Sequence, residues 1–279
     1  MPCFSACLPL RGARAMTRVS SAGAALLALA LLSPALLRAQ DNYEIQVYGS
    51  PTVPTGVTMI ELHSNFTASG RRVVEDGMLP TDHAVHETLE ITHGFTDWFE
   101  VGGYLFTSAR DGQGWQWVGD HIRPRVRVPD AWHWPIGASL SMEVGYQRPE
   151  FSADTWSLEL RPILDKQLGR WYASLNPTLE RSLRGPAAAS GFEFSPNVAL
   201  AVDVTPVVNL AAEYYGAFGP LTEFDPVAEQ EQQLFGAVNL NVSPAWEINA
   251  GLGRGFTTST DRWIVKLILG RRLGPQRGA

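Results

Sequence analysis

Three arginines stand at alternate positions in Arg123-Pro124-Arg125-Val126-Arg127. On an extended chain, i, i+2, i+4 spacing stacks their guanidiniums on one side. Two uses follow from that pattern. Facing glutamates, the arginines would set a transverse field across an aqueous path, as charged rings do in channels. Alternatively, the two signs neutralise each other and simply fill an interior. The histidines offer less. His83, His86 and His93 do not share a face, since His83 falls in a loop and the other two are an odd number of residues apart. His63-Ser64 suggests nucleophilic catalysis, but adjacent residues on a strand project to opposite faces. Glu223, Asp225, Glu229 and Glu231 read as solvated loop charge. No catalytic residue, metal site or cofactor site is expected from these groups.

The elements that must position the arginines are strands. Apolar and polar residues alternate with period two rather than 3.6. Ala138-Leu140-Met142-Val144-Tyr146 interleaves with Ser139-Ser141-Glu143-Gly145, and Trp263-Val265-Leu267-Leu269 with Ile264-Lys266-Ile268-Gly270. Such runs predict strands over 57–66, 84–93, 98–107, 117–128, 136–148, 155–165, 170–181, 191–203, 207–217, 232–242, 246–255 and 261–272. Each is near the ~9–11 residues that cross a bilayer as a tilted strand. Tight links at 94–97, 166–169, 205–206 and 243–245 contrast with long polar ones at 67–83, 182–190 and 218–231. Short turns at one end and long loops at the other are the asymmetry of outer-membrane barrels, whose turns are periplasmic. The expected fold is therefore all-β, a closed antiparallel transmembrane barrel of about twelve strands.

On that fold the polar face is the interior. It carries Arg123, Arg125, Arg127, Arg161 and Lys266 with Glu61, Glu100, Glu143, Glu159, Glu213 and Glu247, and lipid would reject such charges at ~2–4 kcal/mol each near the midplane. Trp98, Trp171 and Trp246 follow tight turns, and Trp156 and Trp263 open strands running the other way, so these indoles are expected to form the interfacial girdles. Trp98 shares parity with Glu100, which would aim it inward. Pro124, Pro162, Pro177 and Pro196 fall inside the strands and demand bulges or lost ladder bonds.

Composition agrees. Of 279 residues 45% are hydrophobic and 18% charged, with a formal net charge of −6. The acidic balance excludes nucleic acid as a partner, because phosphate binding needs a basic face. Arg11, Arg14 and Arg18 precede the apolar run 22–32, and Ala39 offers a cleavage position before Gln40, which together read as a secretory signal peptide over 1–39. Met16 begins a complete signal of its own. The two cysteines, Cys3 and Cys7, fall within it. Residues 40–56 are expected as a periplasmic N-terminal segment, 57–273 as the barrel and 274–279 as a tail.

The stretch Glu90-Ile91-Thr92-His93-Gly94-Phe95-Thr96-Asp97-Trp98-Phe99-Glu100-Val101 resembles a hairpin signature of the MetA-pathway phenol-degradation-like family of bacterial outer-membrane proteins. His93 stands where that pattern usually has tyrosine. The resemblance implies a barrel transporter in the outer membrane for aromatic or other small molecules, and the expected function is passage of small solutes, aromatic or anionic ones among them. Expected partners are outer-membrane lipid and a small-molecule solute. The alternatives are a closed barrel working through its loops and, third, a lipid hydrolase.

Overall fold

The computed structural model describes residues 42–274; the expected signal peptide and residues 275–279 lie outside the described residues. Twelve strands are present: β1 Thr58–Ser69, β2 Val85–Thr96, β3 Phe99–Arg110, β4 Gly114–Arg127, β5 Gly137–Gln147, β6 Trp156–Leu168, β7 Trp171–Arg184, β8 Glu193–Asp203, β9 Val208–Ala217, β10 Glu231–Leu240, β11 Trp246–Gly255 and β12 Trp263–Leu273. Each pairs antiparallel with the next in sequence, and β12 returns to β1 to close the barrel. Closure leaves no edge strand.

All twelve predicted strands are found, with shifted ends. β12 begins at Trp263 instead of 261 because Asp261 is drawn inward, accepting from Asn42 Nδ2 at 2.7 Å and Thr81 Oγ1 at 2.6 Å. β3 and β4 run on to a three-residue turn through Gly112, whose φ of 77° suits glycine. That link is short although it lies at the loop end. Conversely, residues 128–136 make a longer link at the turn end, carrying a 3₁₀ turn over Asp130–Trp132.

The prolines are absorbed by interruptions of the ladders. Between β4 and β5 pairing lapses from Ile122 to Arg125, across Pro124. Between β6 and β7 it lapses between the pairs Leu160↔Leu179 and Leu164↔Leu175, where Pro162 and Pro177 sit. Pro177 in turn stands opposite Pro196 on β8. Three prolines thus line up across adjacent strands, so the missing donors share one zone instead of weakening three.

The barrel is apolar outside and polar within. Leu62, Leu89, Ile91, Leu140, Leu200, Leu210, Leu252 and Leu267 are exposed on the outer face. The alternate positions on β1, Glu61, His63, Asn65 and Thr67, are buried. Replacing Leu267 on this belt by arginine is expected to cost ~2–4 kcal/mol if it sits near the midplane, read by urea titration of folding into lipid vesicles. The nine tryptophans all fall at strand ends or in connections.

The greatest departure from expectation is the segment before β1. Expected as periplasmic, residues 42–55 instead run through the barrel interior from the loop end, where Asn42 meets Asp261, to the turn end, where Thr55 Oγ1 donates to Asp97 Oδ1 at 2.6 Å. The physical reason is that an open twelve-stranded interior would expose its buried polar wall. The strap instead meets that wall with backbone groups. Tyr43, Ile45 and Tyr48 are buried there, and the two apolar clusters of the interior, Tyr43 with Tyr104, Phe106, Val118 and Phe151, and Ile45 with Tyr215, Phe235 and Ile264, form around them.

Candidate functional site in the barrel interior

The strap is held by strand side chains along its length. Thr88 Oγ1 donates to the Tyr43 carbonyl at 2.6 Å and Lys266 Nζ to that of Ile45 at 3.1 Å. Asn176 Oδ1 accepts from the Tyr48 amide at 2.8 Å, while Ser174 Oγ donates to the Tyr48 carbonyl at 2.6 Å. Ser50 donates through both its amide and its hydroxyl to the Asp165 carboxylate, each at 2.8 Å. Side chains of the wall thereby take the place of a strand partner for several of the strap's main-chain groups, which burial demands.

The arginine row of β4 converges on this strap. Arg123 is 2% exposed and donates to Glu90 Oε1 at 2.6 Å, with Glu100 at 3.7 Å. Arg125 lies 2.7 Å from Glu100 and donates to the carbonyls of Pro51 at 2.9 Å and Gly49 at 3.2 Å. Arg127, at the end of the row, pairs instead with Asp130. Glu100 also accepts from the Val53 amide at 2.5 Å. Tyr48 forms the hub of this layer. Its ring centroid is 4.8 Å from the Arg123 guanidinium, 4.9 Å from that of Arg161 and 5.8 Å from that of Arg125, and its hydroxyl bonds to Glu44. Three cations about one ring are tolerable because carboxylates alternate with them.

The remaining interior candidates fall into separate groups. Arg161 bridges Glu159 at 2.7 Å and Glu44 at 3.5 Å. Glu143 pairs with His121 at 2.5 Å. Lys266 pairs with Glu213 at 2.5 Å, away from the arginine layer. Glu247 lies 3.6 Å from Arg272 and accepts from Gln46 at 3.2 Å. Glu61 is buried without a cation partner among the described residues. Sequence reasoning missed the strap residues Glu44 and Tyr48. It also missed His121, which crosses the space left by Gly145, where a Cβ would stand 1.6 Å from the imidazole. The strap's period-two run Tyr43-Glu44-Ile45-Gln46-Val47 is the one signal that could have flagged it.

Two interior spaces flank the Glu44–Tyr48 level. Toward the turn end lies a cavity of about 860 Å³. Its charged lining comprises Arg123, Arg125, Arg127 and Arg272 against Glu61, Glu90, Asp97, Glu100, Asp130 and Glu247. Four arginines against six carboxylates leave an acidic surplus. Toward the loop end a smaller space of about 90 Å³ is bounded by Glu44, His121, Glu143, Glu159, Arg161 and Glu180.

The other sequence candidates are dispersed. Trp98 lies in the β2–β3 turn itself, exposed, so its parity with Glu100 does not aim it inward. Trp156 and Trp171 are exposed, and Trp246 and Trp263 are half-buried under Arg271 at 4.7 Å and Arg254 at 5.4 Å. His83 is in a loop beside Asp82, His86 stacks edge-on to Tyr43 in the interior, and His93 packs on Phe95. Ser64 donates to Glu87 at 2.6 Å, on the face opposite His63.

No protein-family model and no curated protein matches this sequence. Solved structures match in fold. The COG4313 outer membrane channel from Pseudomonas putida F1 is similar at a TM-score of 0.56 and 13% identity, over 82% of this chain and all of that one. The NanC porin is similar at a TM-score of 0.50 and 7% identity, over 78% of this chain and 100% of that chain. With a closed twelve-stranded barrel, an apolar outer belt and a charged interior, the chain has the fold of a transmembrane β-barrel, which it shares with these two outer-membrane channels.

Proposed function

We propose that the barrel passes small solutes across the outer membrane, with the strap as its constriction and the acidic cavity at the turn end as its periplasmic vestibule. The observation that carries this reading is the cavity of about 860 Å³, walled by side chains of both charges and bounded by a strap that no strand ladder holds. Its acidic surplus favours cations over anions, so an anionic cargo, one of the expected solute classes, is the less favoured. An aromatic cargo and membership of the phenol-degradation-like family are compatible with the fold and rest on that hairpin alone. Trp98, Trp156, Trp171, Trp246 and Trp263 serve in this reading as interfacial anchors.

The strap also favours a second reading, a barrel kept closed with its loops as the working surface. Hydrolysis has no geometric support, because Ser64 and His63 project to opposite faces. Proteoliposome swelling separates passage from closure. Small neutral sugars and lysine should enter faster than into protein-free vesicles, and glutamate more slowly than lysine. Swelling no faster than in protein-free vesicles, with folded protein present, would sink the passage reading.

A further inference from the structure

We propose that Glu61, His63 and Glu90 form a binding site for one divalent transition-metal ion of the zinc class. The three lie on the interior face of β1 and β2. Glu61 and His63 are i and i+2 on β1, and Glu61 stands directly opposite Glu90 across the β1–β2 ladder. One ligand atom from each falls within 4.8 Å of the others, and all three residues are buried. Around zinc at ~2.0–2.2 Å, donor atoms sit roughly 3.3 Å apart, so closure onto an ion asks only for small side-chain rotations.

Two independent features point to a cation. His63 is fully buried, yet neither ring nitrogen makes a hydrogen bond, and Nε2 faces Glu90 Oε2 at 3.5 Å. An imidazole left so is costly without a partner. The second feature is charge. Two carboxylates face each other, and Glu61 has neither an ion-pair partner nor a hydrogen-bond donor among the described residues. Glu90 is held by its other oxygen, Oε1, which accepts from Arg123 at 2.6 Å and Thr92 at 2.7 Å. Those donors orient the carboxylate and leave Oε2 toward His63, the arrangement by which outer partners aim a metal ligand. The Tyr48 hydroxyl, 3.5 Å from Oε2, is its other neighbour.

The donor set selects the ion. One imidazole with two carboxylates suits zinc, cobalt or nickel better than magnesium or calcium, which prefer all-oxygen shells. Access is given by the turn-end cavity, which Glu61 and Glu90 both line. Gly270 of β12 makes the room: a Cβ there would meet the Glu61 Cγ at 2.8 Å. This site stands whether or not solutes cross the barrel.

The test is titration of the refolded, tag-free protein in detergent with cobalt chloride, read by visible d–d absorption, followed by zinc chloride. One equivalent of cobalt should bind and be displaced by zinc. His63→Ala and Glu61→Gln should each weaken binding at least tenfold, while His86→Ala, at the interior imidazole of β2, leaves it unchanged. Heat-modifiable gel mobility confirms that each variant is folded. If His63→Ala fails to fold, the near-isosteric Glu61→Gln decides. No saturable absorption, equal binding by Glu61→Gln, or binding lost with His86 would each overturn the site.

Discussion

Replacing Glu100 by alanine should destabilise the barrel by about 3–5 kcal/mol. The carboxylate is fully buried, accepts from the Val53 amide at 2.5 Å and forms ion pairs with Arg125 at 2.7 Å and Arg123 at 3.7 Å. Its removal leaves Arg125 with only strap carbonyls and Arg123 with Glu90 as its one carboxylate. A buried charge stripped of its partner costs more than the pair contributes net. The same logic predicts that Glu100→Gln with Arg125→Met together cost less than Glu100→Ala alone. Urea-induced unfolding in vesicles, followed by tryptophan fluorescence, measures both. A loss below 1 kcal/mol for Glu100→Ala would mean that water reaches this layer and screens it.

Deleting residues 42–53 should raise solute influx several-fold and admit larger sugars. The strap occupies the interior from Asn42 at the loop end to Val53 near Glu100. Without it the ring of Tyr48 no longer lies among Arg123, Arg125 and Arg161. The arginines keep their strand carboxylates Glu90, Glu100 and Glu159, so the wall remains neutralised and able to fold. A twelve-stranded barrel is intermediate between those whose interiors side chains fill and the open aqueous porins. An obstruction across it therefore governs what passes. Proteoliposome swelling with sugars of graded size reads the change, and an unaltered size limit would show that the strap is not the constriction.

How much of this was legible follows from what each feature repeats. The strands were readable because period two recurs along every one of them, and Ile264-Lys266-Ile268 against Val265-Leu267-Leu269 carries the inside and outside of β12 in plain view. The same parity puts Arg123, Arg125, Arg161 and Lys266 at buried positions. Their partners were not readable. Arg123 meets Glu90 across an intervening strand, β3, and such a contact depends on side-chain reach rather than on spacing. The strap left little beyond the short alternation of Tyr43 to Val47, because an extended segment bonded through Thr88, Ser174, Asn176 and Lys266 needs no ladder and leaves no turn signal. The ladder lapse at Pro162 and Pro177 was signalled by the prolines, but their alignment with Pro196 depends on register.

A conducting interior with an acidic lining sets the reversal potential of single channels, which is measured on the refolded, unmodified protein in a planar bilayer under a potassium chloride gradient. Small discrete steps with potassium more permeant than chloride are expected, because six carboxylates outnumber four arginines around the vestibule. Chloride selectivity, or silence from protein shown to be folded, would contradict a conducting, acidic interior.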